Sequence, residues 1–156
     1  MRDKGLKLVI SGDGSLKGEL EKMVADKGLG ERVVLTGFLS EPELVEHYAR
    51  CLAVYFAPYH EDYGFIVPEA FCSRKPVLTC TDTGGAAELV EDGLSGFVCA
   101  PDPFAVAEKL DLLSSRPGLA EDMGDKGHGR VSGLSWSGVV DEMITGKYHE
   151  EQTRST

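Results

Sequence analysis

The chain has 156 residues, one ordinary domain's worth, with 42% hydrophobic and 27% charged content; that composition suits a soluble globular fold and argues against intrinsic disorder. Lys plus Arg number 16 against 26 Asp plus Glu, a net charge of −10, which repels phosphate backbones and anionic lipid, so neither nucleic acid nor a membrane surface is an expected partner. No apolar run approaches the roughly 20 residues of a membrane helix, and the start, Met1 to Gly5, has no signal-peptide stretch, so the chain reads as cytoplasmic.

In chain order, Lys7 to Ile10 is the first predicted strand, ended by Ser11-Gly12-Asp13-Gly14. A helix follows with Ser15 as N-cap and with Leu16, Leu20, Met23 and Val24 on one face; Gly28 and Gly30 close it. Arg32 to Thr36 is the second strand, and Gly37 opens its loop. Ser40-Glu41-Pro42-Glu43 combines an N-cap hydroxyl, a first-turn proline and acids at the positive dipole end, and so starts a helix carrying Leu44, Val45 and Tyr48.

Leu52 to Phe56 is a third strand, apolar throughout as when both sheet faces are covered. After the loop from Ala57 to Gly64 come a helix around Pro68 to Ser73 and a strand from Pro76 to Thr79. A short helix near Gly85 to Val90 and a last short strand, Gly96 to Val98, complete the alternation. Helices are then predicted at 103–115, 117–127 and 136–148, the last opened by Ser135 with Trp136 behind it, before a frayed polar tail at 150–156. Repeated strand–helix alternation predicts an α/β fold, a Rossmann-like parallel sheet with helices on both faces, as one domain over 1–149.

Four cysteines (Cys51, Cys72, Cys80, Cys99) have no CxxC spacing and no His at ligand spacing, which predicts buried free thiols and no metal. His47, His60, His128 and His149 form no ligand pair and read as surface residues.

Ligands of open parallel sheets bind beyond the carboxyl ends of the strands. The loops expected there are Gly12-Asp13-Gly14, Gly37-Phe38-Leu39-Ser40, Thr81 to Gly85, and Pro58 to Gly64, each with at least one glycine. Glycine permits close backbone approach, although turns use it regardless. The segment from Tyr59 to Ala70 says more. Glu61 and Glu69 stand in E-x7-E spacing across a strand-to-helix turn, with Gly64, Phe65, Ile66 and Val67 between them. Helix-start amides there can take phosphate, and ionised carboxylates can accept from sugar or ribose hydroxyls. The spacing alone equally permits Glu69 to serve the helix dipole and Glu61 to be solvated.

This stretch, with Lys75-Pro76-Val77 and Thr83-Gly84-Gly85-Ala86-Ala87-Glu88-Leu89-Val90 after it, resembles the C-terminal domain of the retaining GT-B glycosyltransferases, group one, family four, whose pattern is EGFG, EAMACGKPV and GGIPEIV. The likeness runs nearly the whole length. Leu8 to Gly14 resembles the family's first strand and glycine loop, Val33 to Ser40 its next segment, Asp92 to Val98 its DGxTGxLV turn, and Ser135-Trp136 its late helix start.

The resemblance implies roles residue by residue. Glu61, the catalytic candidate, would contact donor-sugar hydroxyls and help place the anomeric carbon, and Glu69 would hold the ribose. Gly64, Phe65 and Ile66 would offer amides to the sugar or diphosphate. Gly12 and Gly14 would face the donor, and Phe38 and Leu39 would border the base. Glu88 would be structural as readily as binding. The implied reaction moves a sugar from a nucleotide-diphospho-sugar to an acceptor hydroxyl with retention, without metal or cofactor.

Three departures stand out. Arg74 replaces a common Gly, at a cost of about 1 kcal/mol if left-handed, and either adds charge near the site or is plain surface. Ala87 replaces a Pro, and Asp62 adds negative charge beside Glu61. The family's domain opens with one more strand–helix unit whose Arg and Lys grip the diphosphate, and this chain is expected to begin downstream of it. The implied partners are the donor and an N-terminal acceptor domain of the same parent, through which alone any membrane contact would come. The competing readings are a non-catalytic module of this fold and a sugar-nucleotide epimerase.

Overall fold

The computed structural model describes residues 5–145. The expected tail, His149 and the end of the last helix beyond Thr145 lie outside them. The elements run β1 (Leu8–Ser11), α1 (Lys17–Asp26), β2 (Val33–Gly37), α2 (Glu41–Arg50), β3 (Val54–Tyr55), α3 (Ile66–Cys72), β4 (Val77–Cys80), α4 (Gly85–Leu89), β5 (Gly96–Cys99), α5 (Pro103–Ser115), α6 (Pro117–Val131) and α7 (Trp136–Thr145).

Three helix starts, those of α2, α5 and α7, have a local side-chain cause. The Glu43 carboxylate accepts from both the backbone N–H and the hydroxyl of Ser40, at 2.8 and 2.5 Å, and Pro42 sits in the first turn of α2. Those two bonds hold the Glu43 carboxyl below its usual range. Asp102 accepts from the amides of Phe104 and Ala105 to open α5, and Ser135 accepts from Gly138 at 3.0 Å to open α7. Ser15 does not cap α1. A turn closed by Lys17 N–H on the Gly14 carbonyl (3.1 Å) delays that helix, and Leu16 takes the cap position without a side-chain bond. At its other end, left-handed Gly28 donates to Ala25 and stops α1 as expected.

All strand pairing is parallel, and helices flank it on both faces, as the alternation requires. The expected sheet is present, however, as two ladders. β1 pairs with β2, Leu8 opposite Val33, and β3–β4–β5 form the other, Val54 opposite Val77 and Cys80 opposite Cys99.

The second ladder carries the core. On one face Leu78, Cys80, Phe97 and Cys99 pack under Leu113, Ala120 and Met123 of α5 and α6. On the other, Val77 packs with Val67, Ala70 and Phe71 of α3, and Ala86 of α4. From Gly5 to Arg50 only Gly37 is buried. Burial at roughly 25 cal/mol per Å² of apolar surface therefore stabilises the second half far more than the first.

Several expectations are corrected here. α6 runs through Val131 rather than ending at 127. Cys80 and Cys99 are buried thiols, but Cys51 is half-buried and Cys72, on the outer side of α3, is exposed. His128 is half-buried, its Nδ1 lying 3.3 Å from the Phe71 carbonyl oxygen. Arg74 is indeed left-handed, with φ of 54°, and its guanidinium pairs with Asp125 of α6 at 2.6 Å rather than with the site loops.

Candidate functional site

The first two loops meet. Gly12, at φ 120°, donates its N–H to the Gly37 carbonyl at 2.8 Å, while the Asp13 carboxylate accepts from Gly14 at 2.8 Å. Phe38, 88% exposed, stands directly beyond this junction, with Leu39 half-buried behind it. The structure thus gathers Gly12, Gly14, Phe38 and Leu39, and adds a residue that sequence reasoning missed. Lys17 Nζ lies 3.4 Å from Asp13, and a Cβ on Gly37 would meet that nitrogen at 3.4 Å. The available signal was a lysine at the positive end of a helix, where the dipole disfavours it.

The third loop is fastened to the fourth. Glu61 N–H donates to the Thr83 carbonyl and Gly85 N–H to the Glu61 carbonyl, both at 2.9 Å, beside a parallel bridge between Glu61 and Gly84. A Cβ on Gly84 would fall 2.6 Å from the Glu61 carbonyl oxygen, so only glycine allows the approach. Underneath, the buried Thr79 and Thr83 hydroxyls lie 3.0 Å apart, and Thr83 also donates to the Cys80 carbonyl. Glu61 is half-buried on a backbone fixed at both sides.

Buried Gly64 turns the chain into α3. The Val67 amide bonds back to Gly64 and that of Glu69 to Phe65. Helix geometry leaves the earlier amides, of Phe65 and Ile66, without intrahelical acceptors. Glu69 occupies the first turn, exposed, and its Oε2 accepts from the Tyr48 hydroxyl of α2 at 3.0 Å. Sequence reasoning placed Tyr48 merely on the apolar face of its helix. Its ring does pack among the α3 and α4 core residues, but its hydroxyl reaches the carboxylate.

Glu61 and Glu69 share no hydrogen-bond partner among the described residues, and Glu88 is exposed on α4. A cavity of about 440 Å³ opens at the carboxyl ends of β3 and β4, and neither Glu61 nor Glu69 lines it; its walls include Tyr55, Tyr59, Asp82, Val106 and Leu110.

Burial, then the bond to Glu69, pushes the Tyr48 phenol well above its ordinary value of 10. Burial likewise raises Tyr55, to about 12, and Cys99, to about 11. A folded pKa above the unfolded one stabilises below the unfolded value and is lost as pH rises through the folded one. Stability should therefore be level near pH 8 and fall from about pH 9–10 upward. Tyr48→Phe should reduce that alkaline slope, read as Tm against pH, and should loosen the Glu69 carboxylate at a cost of about 1 kcal/mol or less at pH 7.

The profile of the family described as glycosyl transferases group 1 matches residues 1–130. The human alpha-1,3/1,6-mannosyltransferase ALG2 is 31% identical over 113 residues, 72% of this chain and 27% of that protein. Alpha-D-kanosaminyltransferase of Streptomyces kanamyceticus is 28% identical over 150 residues, 96% of this chain and 39% of that protein. The chain thus spans roughly a quarter to two-fifths of the length of these relatives. Among solved structures, a mutant TarM of S. aureus in complex with fondaparinux, alpha-GlcNAc-glycerol and UDP superposes with a TM-score of 0.83 at 25% identity, over 92% of this chain and 29% of that one.

Proposed function

This chain belongs to the group 1 glycosyl transferases, and on that premise we propose that it is the donor-binding half of an enzyme that moves a sugar from a nucleotide-diphospho-sugar to an acceptor hydroxyl with retention at the anomeric carbon. One observation carries the reading: the Glu69 carboxylate, steadied by Tyr48 at 3.0 Å, stands one helical turn from the unengaged amides of Phe65 and Ile66. An acceptor for hydroxyls beside donors for phosphate is what a nucleotide sugar needs. The free thiols Cys80 and Cys99 accord with a reducing cytoplasm.

In this reading Phe38 and Leu39 border the base, Glu69 holds the ribose, and Gly12, Gly14 and the α3 amides approach the diphosphate. Glu61, its backbone clamped between Thr83 and Gly85, orients the sugar. Negative charge grows on the departing diphosphate in the transition state, so donors fixed in advance accelerate transfer more than they tighten ground-state binding. Glu61, Asp62 and Asp82 oppose that charge, and Lys17 is the cation placed to offset it on the β1 side.

Titration calorimetry with UDP-, GDP- and ADP-sugars tests the reading. The chain alone should bind one base class weakly, and a version preceded by a strand–helix unit bearing the diphosphate-gripping Arg and Lys should bind it at least ten-fold tighter, given about 2–5 kcal/mol per buried charged partner. If neither binds any nucleotide sugar at millimolar concentration, the reading fails.

A further inference from the structure

Two thiols meet at the carboxyl ends of β4 and β5. Cys80 stands opposite Cys99 in the parallel register, and both belong to the core face under α5 and α6, 2% and 6% exposed. Cys80 Sγ lies 3.9 Å from the Ala100 carbonyl oxygen and Cys99 Sγ 3.5 Å from that of Thr79, weak interactions for an S–H donor. Burial first, and then Cys80 beside it, raise the Cys99 thiol to about 11, so it is protonated at neutral pH. Cys80 also forms part of the wall of the 440 Å³ cavity, with Tyr55, Ala57, Val106 and Leu110. A small molecule entering there meets one sulfur, with the second on the adjacent strand.

Strand spacing decides how the two sulfurs can be joined. Parallel neighbours send their side chains off in the same direction, so the two Cβ atoms stay roughly one strand spacing apart, 4.7–4.9 Å. A disulfide holds its Cβ atoms closer, at about 3.5–4.5 Å. A direct S–S bond would have to draw two core strands together. A single atom placed between the sulfurs would not.

Charge and shape select the bridging atom. A monovalent soft cation takes thiolates, and two of them would bury a net negative charge among Leu78, Phe97 and Leu113. Zinc in a structural site takes four ligands, and among the described residues no three His, Cys, Asp or Glu side chains are grouped to hold a metal. A bare divalent soft ion would end neutral, but it has nothing to fill the apolar cavity. A trivalent arsenic carrying one aryl group and two hydroxyls is neutral before and after it reacts with two thiols, and its ring suits those walls.

We propose that Cys80 and Cys99 form a dithiol site for a neutral aryl trivalent arsenical, the arsenic bridging the two sulfurs and the ring lying in the cavity beside Val106 and Leu110. Two As–O bonds break and two As–S bonds form. Each thiol proton leaves with a hydroxyl as water, and arsenic stays trivalent, so neither oxidant nor reductant is needed. Donor binding plays no part in it.

The test mixes the full chain, without nucleotide, with phenylarsonous acid. The intact mass should gain one phenylarsenic group and lose two hydrogens, and Tm should rise with the concentration of the arsenical. Cys80→Ala or Cys99→Ala should weaken binding by roughly 100-fold or more, the loss of an intramolecular second bond. The double variant Cys51→Ala/Cys72→Ala should bind as the parent does. If the core variants do not fold, the unaltered chain still decides: the adduct should survive a large excess of a monothiol and be stripped by a dithiol. No adduct, an adduct that a monothiol removes as readily as a dithiol, or one that needs Cys51 or Cys72, overturns the site. So does ready closure of a Cys80–Cys99 disulfide by hydrogen peroxide, since the strand spacing would then not exclude the direct bond.

Discussion

Gly124→Ala should destabilise the protein by about 3 kcal/mol, the upper range for inserting a methyl into a packed contact. The corresponding fall in Tm is about 6–12 °C for a chain of this size. The reason lies in how α6 meets α3. A Cβ on Gly124 would fall 2.0 Å from the Arg74 carbonyl oxygen and 2.6 Å from its carbonyl carbon. Those are backbone atoms, and they cannot retreat. Arg74 N–H bonds to Phe71, Lys75 N–H bonds to Ala70, and Arg74 already holds a left-handed φ of 54° that a bulky residue adopts at a cost. One turn on, Gly127 faces the Phe71 ring, where a Cβ would lie 2.4 Å from a ring carbon of a residue 1% exposed. Gly129→Ala is the control on the same helix. It has nothing within 4 Å, so it should stabilise by about 0.5–1 kcal/mol through helix propensity alone. Chemical or thermal melting of the pair checks both signs, and equal effects would refute the packing account.

These glycines also show where sequence reading stops. Gly124, Gly127, Gly129 and Gly133 look like helix breakers, and the sequence reading ended this helix at 127. The structure continues α6 to Val131 because two of the glycines let it lie against the Arg74 backbone and the Phe71 ring, a tertiary contact that outweighs propensity. Strands and caps were legible where the cause is local, as in the Ser40 and Glu43 start of α2 and the strand β4. Ser15 shows the converse, since a cap-forming residue yields when a turn from Gly14 postpones the helix.

The candidate site divides in the same way. Its backbone parts were readable, because glycines at Gly12, Gly64 and Gly84 mark positive φ or close approach. Its supporting side chains were not. Tyr48 and Lys17 belong to helices whose own patterns give them other roles, and only the meeting of α2 with α3, and of the β1 loop with Gly37, brings them to the site. The division of the sheet into two ladders was equally invisible, because alternation of strand and helix fixes the kind of sheet and leaves the number of strands in it open.

Glu69→Ala should lower donor affinity about 10- to 100-fold, matching the roughly 1.5–3 kcal/mol of hydrogen bonds to a charged group. Glu69 is exposed and its carboxylate is held by one phenol at 3.0 Å, so Tm should hardly move. Glu69→Gln keeps an acceptor oxygen and should lose less. The choice of ligand then separates the two acids. A ribose contact weakens the free nucleoside diphosphate and the nucleotide sugar alike, whereas a sugar contact weakens only the latter. Glu69→Ala should therefore cost both ligands equally in calorimetry, and Glu61→Ala should spare the diphosphate and lower kcat more than it raises KM, as loss of a transition-state interaction does. Tyr48→Phe completes a cycle: with Glu69 already removed it should have little further effect on binding, because its hydroxyl acts through that carboxylate. Undiminished diphosphate affinity in Glu69→Ala would place the ribose elsewhere and leave Glu69 as a helix-start acid serving the dipole of α3.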